Sequence, residues 1–144
     1  MSDLPPRGYT IDELSAGMTA SYERVVTIAD IEAFAEVSGD HNPVHLDDAY
    51  AKTTPFKGRI AHGMLGASFI STVLASKLPG PGTVYLGQTL TFKAPVRPGD
   101  KLEARVTVTE VIREKKRVKL STQCRVGETV VIDGEATVLV TQQS

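Results

Sequence analysis

The chain has 144 residues, a formal net charge of −1 and charged side chains of both signs along its length. This length suits one domain, residues 1–144, which is large enough to fold without a disulfide or a structural metal. The nearly neutral charge gives no broad basic surface for nucleic acid or an anionic membrane, so we expect neither partner.

Two features bear on the cellular compartment. Cys124 is the only cysteine, which excludes an intrachain disulfide and a thiolate metal cluster and favours a reducing, cytoplasmic setting. Met1 to Pro6 lack the cationic start and apolar core of a signal peptide. The most apolar helical stretch, 64–75, is too short to cross a bilayer, so we expect a soluble protein.

The first third of the chain predicts a turn, a strand and a helix. Thr10 to Glu13 has the spacing of a capping box and predicts a single helical turn. Residues 18–26 predict a strand, and the segment from Thr27 predicts a helix with one apolar face. Gly39 ends that helical pattern, because glycine readily adopts the conformation found at helix C-termini.

Reactive side chains crowd into residues 38–48. We predict a loop here, since Pro43 restricts the residue before it to extended or turn conformations. Asp40 and His45 are five residues apart, so a chain that curls around Pro43 brings a carboxylate and an imidazole to one bound water, a natural acid/base pair. The alternative is an ordinary capping loop, with Asp47 as the N-cap of a short helix.

Metal binding by this segment is disfavoured. A calcium loop that starts at Asp40 needs glycine at its sixth position, where this chain has His45. Zinc held by His41, His45 and His62 lacks thiolates and a helical histidine pair. We therefore predict no metal site. Downstream, Lys57 and Arg59 are expected in a solvated loop, with contact to the phosphates of an anionic ligand as the alternative.

The next element is an apolar helix over about 64–78, which we expect to be buried on all sides. His62 and Gly63 open it. The helix N-terminus carries free N–H groups and the positive end of the helix dipole, so the Gly63 N–H is a candidate to hold a carbonyl oxygen that gains negative charge. For His62 we expect a structural role, as a cap or as a partner of a carbonyl group.

From Thr83 onward the apolar period changes to two, which predicts four strands with one dry and one wet face each. Their inward positions are Val84, Leu86, Leu90, Phe92 and Ala94; Leu102, Ala104, Val106 and Val108; Val118, Leu120, Thr122, Cys124 and Val126; and Val130, Ile132, Ala136, Val138 and Val140. Short turns join them as a meander. The sequence thus predicts an α+β fold, an antiparallel sheet curled around one buried helix.

A family resemblance follows from several motifs. The chain contains Asp40-x-Asn42-Pro43-x-His45-x-Asp47, His62-Gly63-Met64-Leu65, Tyr85-Leu86-Gly87-Gln88 and Phe92-Lys93-x-Pro95-Val96. From about residue 15 to 140 it resembles the MaoC-like (R)-specific enoyl-CoA hydratases. The resemblance implies a hot-dog fold, a homodimer, no metal or redox cofactor, and reversible syn addition of water to a trans-2-enoyl-CoA giving the (R)-3-hydroxyacyl-CoA.

The same resemblance implies roles for individual residues. Asp40 and His45 are the expected catalytic pair, and the Gly63 N–H the expected donor to the thioester carbonyl. Ser71, on the central helix, is an expected secondary site residue. We further predict substrate-binding roles for three residues: Asn42, Met64 and Leu65.

Other functions remain open at this point. The substrate can be a thioester of CoA or of acyl-carrier protein. A hot-dog acyl-CoA thioesterase has the same architecture, and a non-catalytic acyl-CoA or acyl-carrier-protein binding module is a third possibility.

Overall fold

The computed structural model describes residues 7–143, which form a six-stranded antiparallel sheet with one long helix packed on it. The elements are β1 (Thr19–Val25), α1 (Ile28–Ser38), α2 (Pro43–Leu46), α3 (Asp48–Lys52), α4 (Gly63–Ser76), β2 (Val84–Gln88), β3 (Thr91–Phe92), β4 (Lys101–Ile112), β5 (Arg117–Val126) and β6 (Thr129–Leu139). The predicted α+β class and hot-dog arrangement are confirmed. The expectation for Met1 to Pro6 lies outside the described residues.

The sheet has the strand order β1-β4-β5-β6-β2, with β3 also paired to β6. The long meander β4-β5-β6 is predicted by the alternation in sequence, and Leu102, Ala104, Val106 and Val108 of β4 are indeed buried. Two positions depart from the alternation. Val126, at the end of β5, is only half-buried. A register shift between Cys124 and Arg125 leaves Val130 half-buried and buries Val131 instead.

The core lies between α4 and one face of this sheet. Ile70, Val73 and Leu74 of α4 are almost completely inaccessible to solvent and belong to the same apolar cluster as Leu102 and Leu120. Burial of this apolar face, rather than helix propensity, supplies most of the stability of such a helix.

The expectation that α4 is buried on all sides is wrong. It begins at Gly63 rather than Met64, ends at Ser76, and exposes a stripe that includes Met64, Ser68 and Ala75. The sheet can cover only one side of a helix, so in a single chain the opposite stripe meets solvent.

The single buried strand predicted from Thr83 onward is also wrong. It is two short strands, β2 and β3, and the apolar residues Val84, Leu86 and Phe92 are 42 to 50% exposed. A register shift between Tyr85 and Gly87 breaks the alternation, and β2 lies at the edge of the sheet. An edge strand has no neighbour to bury its outward side chains.

Among residues 7–143, none of the helices combines the length and the apolar character needed to cross a bilayer.

Candidate active site

Residues 39–47 fold as a series of helix caps rather than as an irregular loop. Gly39 ends α1 in the left-handed conformation, with a φ of 80°. The Asn42 side chain then accepts a hydrogen bond from the Val44 N–H, and Pro43 occupies the first position of α2, where its missing N–H costs nothing. The predicted loop therefore contains one helical turn. Asp47 caps α3, as predicted.

This arrangement turns His45 inward from α2, so that only 8% of the residue is exposed. Its Nδ1 lies 2.8 Å from the Ile60 carbonyl oxygen. A carbonyl oxygen can only accept, so Nδ1 carries the proton and Nε2 is left with a free lone pair. Burial lowers the pKa of the His45 imidazole below its ordinary value near 6.5 and favours the neutral ring.

Asp40 lies beside His45, as the sequence predicts. A carboxylate oxygen of Asp40 and ring nitrogens of His45 and His62 all lie within 4.8 Å of one another. The imidazole rings of His45 and His62 are stacked, with centroids 3.9 Å apart and planes 27° apart. The cluster has no thiolate, and one ring nitrogen of each histidine is engaged by a backbone carbonyl, His45 Nδ1 by Ile60 and His62 Nε2 by Asp40.

His41 does not belong to this cluster. Its Nε2 lies 2.9 Å from Oε1 of Glu36, on the exposed side of the loop. The zinc set of His41, His45 and His62 considered from the sequence is therefore not brought together. His62 pairs with a carbonyl group, as expected, since its Nε2 lies 3.0 Å from the Asp40 carbonyl oxygen.

Gly63 is the first residue of α4, so its N–H has no acceptor within the helix. A Cβ atom at this position would lie 2.7 Å from two ring carbons of Phe92, a distance that atoms in contact do not reach. An alanine at position 63 would therefore force the Phe92 ring, which is 50% exposed, to move.

Asp40, His45 and Gly63 line one cavity of about 400 Å³. Most of its other walls are apolar, and Met64 and Leu65 contribute to them. The remaining wall residues are Val26, Phe56, Ile60, Ala61, His62, Gly66, Phe92, Lys93, Ala94, Pro95, Val96, Leu102 and Ile132. An apolar cavity with a few convergent polar groups at one place is the usual form of a small-molecule site.

Comparisons with known proteins show the family of this chain. Residues 12–131 match the family model described as MaoC like domain. The chain belongs to this MaoC-like family.

Among the relatives, the chain is 53% identical over 129 residues to a protein of Rhodospirillum rubrum named (R)-specific enoyl-CoA hydratase, covering 90% of each chain. A mitochondrial protein of Arabidopsis thaliana named 3-hydroxyacyl-[acyl-carrier-protein] dehydratase is 39% identical, with 88% of this chain and 77% of the relative covered. The solved structure of an (R)-hydratase from Pseudomonas aeruginosa superposes with a TM-score of 0.89 at 47% identity, covering 94% and 88% of the two chains.

Two predicted site residues of this MaoC-like chain lie away from the cavity. Ser71 is half-buried on α4, two helical turns or about 12 Å beyond Gly63, and does not line the cavity of the single chain. Asn42 is exposed, and its side chain serves to cap α2. Neither position contacts the Asp40 and His45 cavity directly.

Other residues of the site were not predicted. Arg59 points inward, and its Nε donates to the His45 carbonyl oxygen over 2.7 Å, so it is not a free cation of a solvated loop. Lys57 remains exposed. Phe56 and Phe92, 37% and 50% exposed, form apolar walls of the cavity. No short-range pattern marks these contacts, because they join segments that are distant in sequence.

The pKa values of His41 and His45 should be shifted in opposite directions from the ordinary histidine value. Burial lowers the pKa of His45, whereas the hydrogen bond to Glu36 raises the pKa of exposed His41. We expect NMR titration of the ring signals to give a midpoint below 6.5 for His45 and above it for His41. A Glu36→Gln control should lower the His41 midpoint and leave that of His45 unchanged. A His45 midpoint at or above 6.5 would contradict the lowering of its pKa by burial.

Proposed function

We propose that this chain is an (R)-specific enoyl-CoA hydratase, which adds water reversibly to a trans-2-enoyl-CoA and gives the (R)-3-hydroxyacyl-CoA. The observation that carries the proposal is the meeting of three groups at one apolar cavity: the Asp40 carboxylate, the neutral His45 ring and the first residue of α4, Gly63. The related hydratases named above support the same activity.

The Asp40 and His45 pair is suited to hold a single water. His45 Nδ1 is engaged by Ile60, so Nε2 accepts one O–H of the water while the Asp40 carboxylate accepts the other. With both protons engaged, a lone pair of the water oxygen faces C3 of the substrate. Asp40 then takes the proton that the water loses as the C3–O bond forms.

The other half of the reaction is at C2 and at the thioester. As oxygen adds to C3, electrons of the double bond shift toward the thioester carbonyl and an enolate develops. The Gly63 N–H, at the positive end of α4, is the proposed donor to that oxygen. The enolate collapses when the proton released by the water is delivered to C2, so one water supplies both new substituents from the same face.

The cavity also bears on the acyl group. Gly66, Leu102 and Ile132 lie at its apolar walls, and a Cβ on Gly66 would lie only 2.9 Å from Cδ1 of Ile132. Because Gly66 and Ile132 lie this close together, they close the cavity at this end and limit how deep an acyl tail can reach. The cavity therefore favours short to medium acyl chains. We propose CoA as the carrier, because the relative named for CoA shares 53% identity and the one named for acyl-carrier protein 39%.

The lone thiol fits the proposed cytoplasmic setting. Cys124 is buried, and burial raises its pKa to about 12, so it stays protonated and unreactive. It has no partner for a disulfide within the chain.

Crotonyl-CoA tests the activity directly. A hydratase saturates the double bond and so removes the ultraviolet absorbance of the conjugated thioester, with (R)-3-hydroxybutyryl-CoA as the product. A thioesterase would instead release free CoA thiol, and a binding module would leave the absorbance unchanged. Either of these two results would contradict the proposal.

Substitution of the catalytic pair gives a sharper prediction. Asp40→Asn keeps the shape of the side chain and removes the base, so kcat should fall by roughly 10²- to 10⁴-fold with little change in KM. His45→Gln should lower kcat by a similar factor. Because both residues act on the same water, the double mutant should be barely worse than the worse single mutant.

The alternative is that residues 38–48 are only a capping loop. The same substitutions would then lower the melting temperature and leave the rate of the folded fraction nearly intact. Steady-state kinetics and thermal melts on all four proteins separate the two outcomes. An Asp40→Asn enzyme that keeps more than about half of its kcat would exclude the mechanism.

We also propose that the chain is a homodimer paired through β2. Both edges of the described sheet are open, but β1 carries Glu23 and Arg24, charges that discourage edge pairing. β2 carries none, and its apolar side chains Val84 and Leu86 are 42% and 46% exposed. A second copy that pairs with β2 would satisfy its free backbone groups and cover this apolar surface.

Sedimentation should give about twice the chain mass of 15.5 kDa at micromolar concentration. Leu86→Lys places a charge at the proposed interface and should shift the protein toward the monomer. The matched control is Val25→Lys, at a 50% exposed valine on the other edge strand, which should leave the dimer intact. A monomer at 15.5 kDa for the unaltered chain, or equal effects of both variants, would contradict this interface.

A further inference from the structure

His62 lies next to each of the three proposed catalytic residues: its side chain contacts Asp40 and His45, and Gly63 follows it in the chain. Its Nε2 lies 3.0 Å from the Asp40 carbonyl oxygen, and its ring is stacked on His45 with a centroid distance of 3.9 Å. His62 is also the N-cap residue of α4, directly before Gly63. One buried side chain, 3% exposed, thus joins the base, the second histidine and the oxyanion donor.

The hydrogen-bond geometry fixes the tautomer of His62. The Asp40 carbonyl oxygen can only accept, so Nε2 carries the hydrogen and Nδ1 has the free lone pair. Nδ1 is buried and has no hydrogen-bond partner among residues 7–143. A buried acceptor without a partner costs free energy. A phenylalanine ring would fill the same space between His45 and Phe34 without that cost, so packing alone does not explain a histidine here.

The hydrogen bond from His62 is the contact that anchors Asp40 to the rest of the fold. The residue is exposed, and within the described chain its other hydrogen bonds go to Ser38 and Asn42, each two positions away in sequence. Such local bonds shape the turn but do not tie it to the rest of the fold. The bond to His62 is the one that joins Asp40 to the start of α4, 22 residues away.

We propose that His62 is a positioning residue for the hydration reaction, acting through its Nε2–H bond to the Asp40 backbone carbonyl. That bond sets the distance between the Asp40 carboxylate and the Gly63 N–H, because His62 and Gly63 are adjacent in the chain. The inference rests on the proposed hydratase function. A shift of about 1 Å in a catalytic group can lower the rate by about 10²-fold.

Two variants of opposite kind test the role. His62→Phe keeps the stacked ring and removes the donor, whereas His62→Gln keeps an N–H donor of similar reach and removes the ring. With crotonyl-CoA, we expect His62→Phe to lose about 10²-fold in kcat with KM nearly unchanged, and His62→Gln to stay within about threefold of the parent. If His62 is only a packing residue, the order is reversed.

The matched control is His41→Gln in the same loop. His41 also contacts a backbone carbonyl, that of Gly39 at 3.2 Å, but it lies outside the cavity, so its substitution should leave kcat unchanged. Activity of the parent enzyme separates the two proposals. A parent that does not hydrate crotonyl-CoA contradicts the proposed function, whereas an active parent whose His62→Phe variant keeps more than about half of its kcat contradicts only the role of His62.

A double mutant checks that His62 acts through Asp40. Asp40→Asn combined with His62→Phe should be no slower than Asp40→Asn alone, because the base that His62 positions is already absent. If the double mutant instead showed the product of the two single-mutant losses in kcat, the proposal would be overturned.

Melting temperatures identify variants that do not fold. If His62→Phe is one of them, His62→Asn, whose shorter amide cannot reach the Asp40 carbonyl, takes its place, and equal rates for Asn and Gln would then overturn the proposal.

Discussion

The hydrogen bond from His45 Nδ1 to the Ile60 carbonyl oxygen, 2.8 Å long, is the contact on which the site depends. It ties α2 to the segment that leads into α4, and it decides which ring nitrogen of His45 is free. The Ile60 N–H donates in return to the Val44 carbonyl at 3.3 Å, and Arg59 donates to that of His45. Three bonds between two short segments thus fix the ring without using the nitrogen that the water needs.

The rest of the fold supplies a rigid frame for these bonds. α4 is held on the sheet by side chains such as Ile70 and Val73, which are inaccessible to solvent, so its N-terminus has a fixed position. Gly63 and its N–H are placed by that packing, and Asp40 and His45 are placed relative to Gly63 by residues 59–62. The chemistry is therefore located where the short capped segment 39–47 meets the N-terminus of a helix that is held by the core.

Much of this arrangement could be predicted from the sequence because it depends on local signals. The caps at Gly39 and Asp47, the pairing of Asp40 with His45 and the helix that starts near Gly63 all follow from residues close together in the chain. The inward turn of Arg59 and the choice of the Asp40 carbonyl as the partner of His62 could not be predicted, since these bonds join positions 14 and 22 residues apart through backbone carbonyls, which every residue has. The exposure of the apolar side chains of β2 could not be predicted, because alternation indicates which face of a strand is apolar but does not indicate whether another element covers that face.

The central claim is that the groups at Asp40 and His45 add the hydroxyl at C3 and the hydrogen at C2 from the same face of the substrate. Hydration of crotonyl-CoA in D₂O measures this most directly, because the deuterium added at C2 records the face from which it came. The account predicts a single diastereomer by NMR, with the (R)-hydroxyl and the new deuterium on the same face of the former double bond. Deuterium on the opposite face, or spread over both C2 positions, would contradict it.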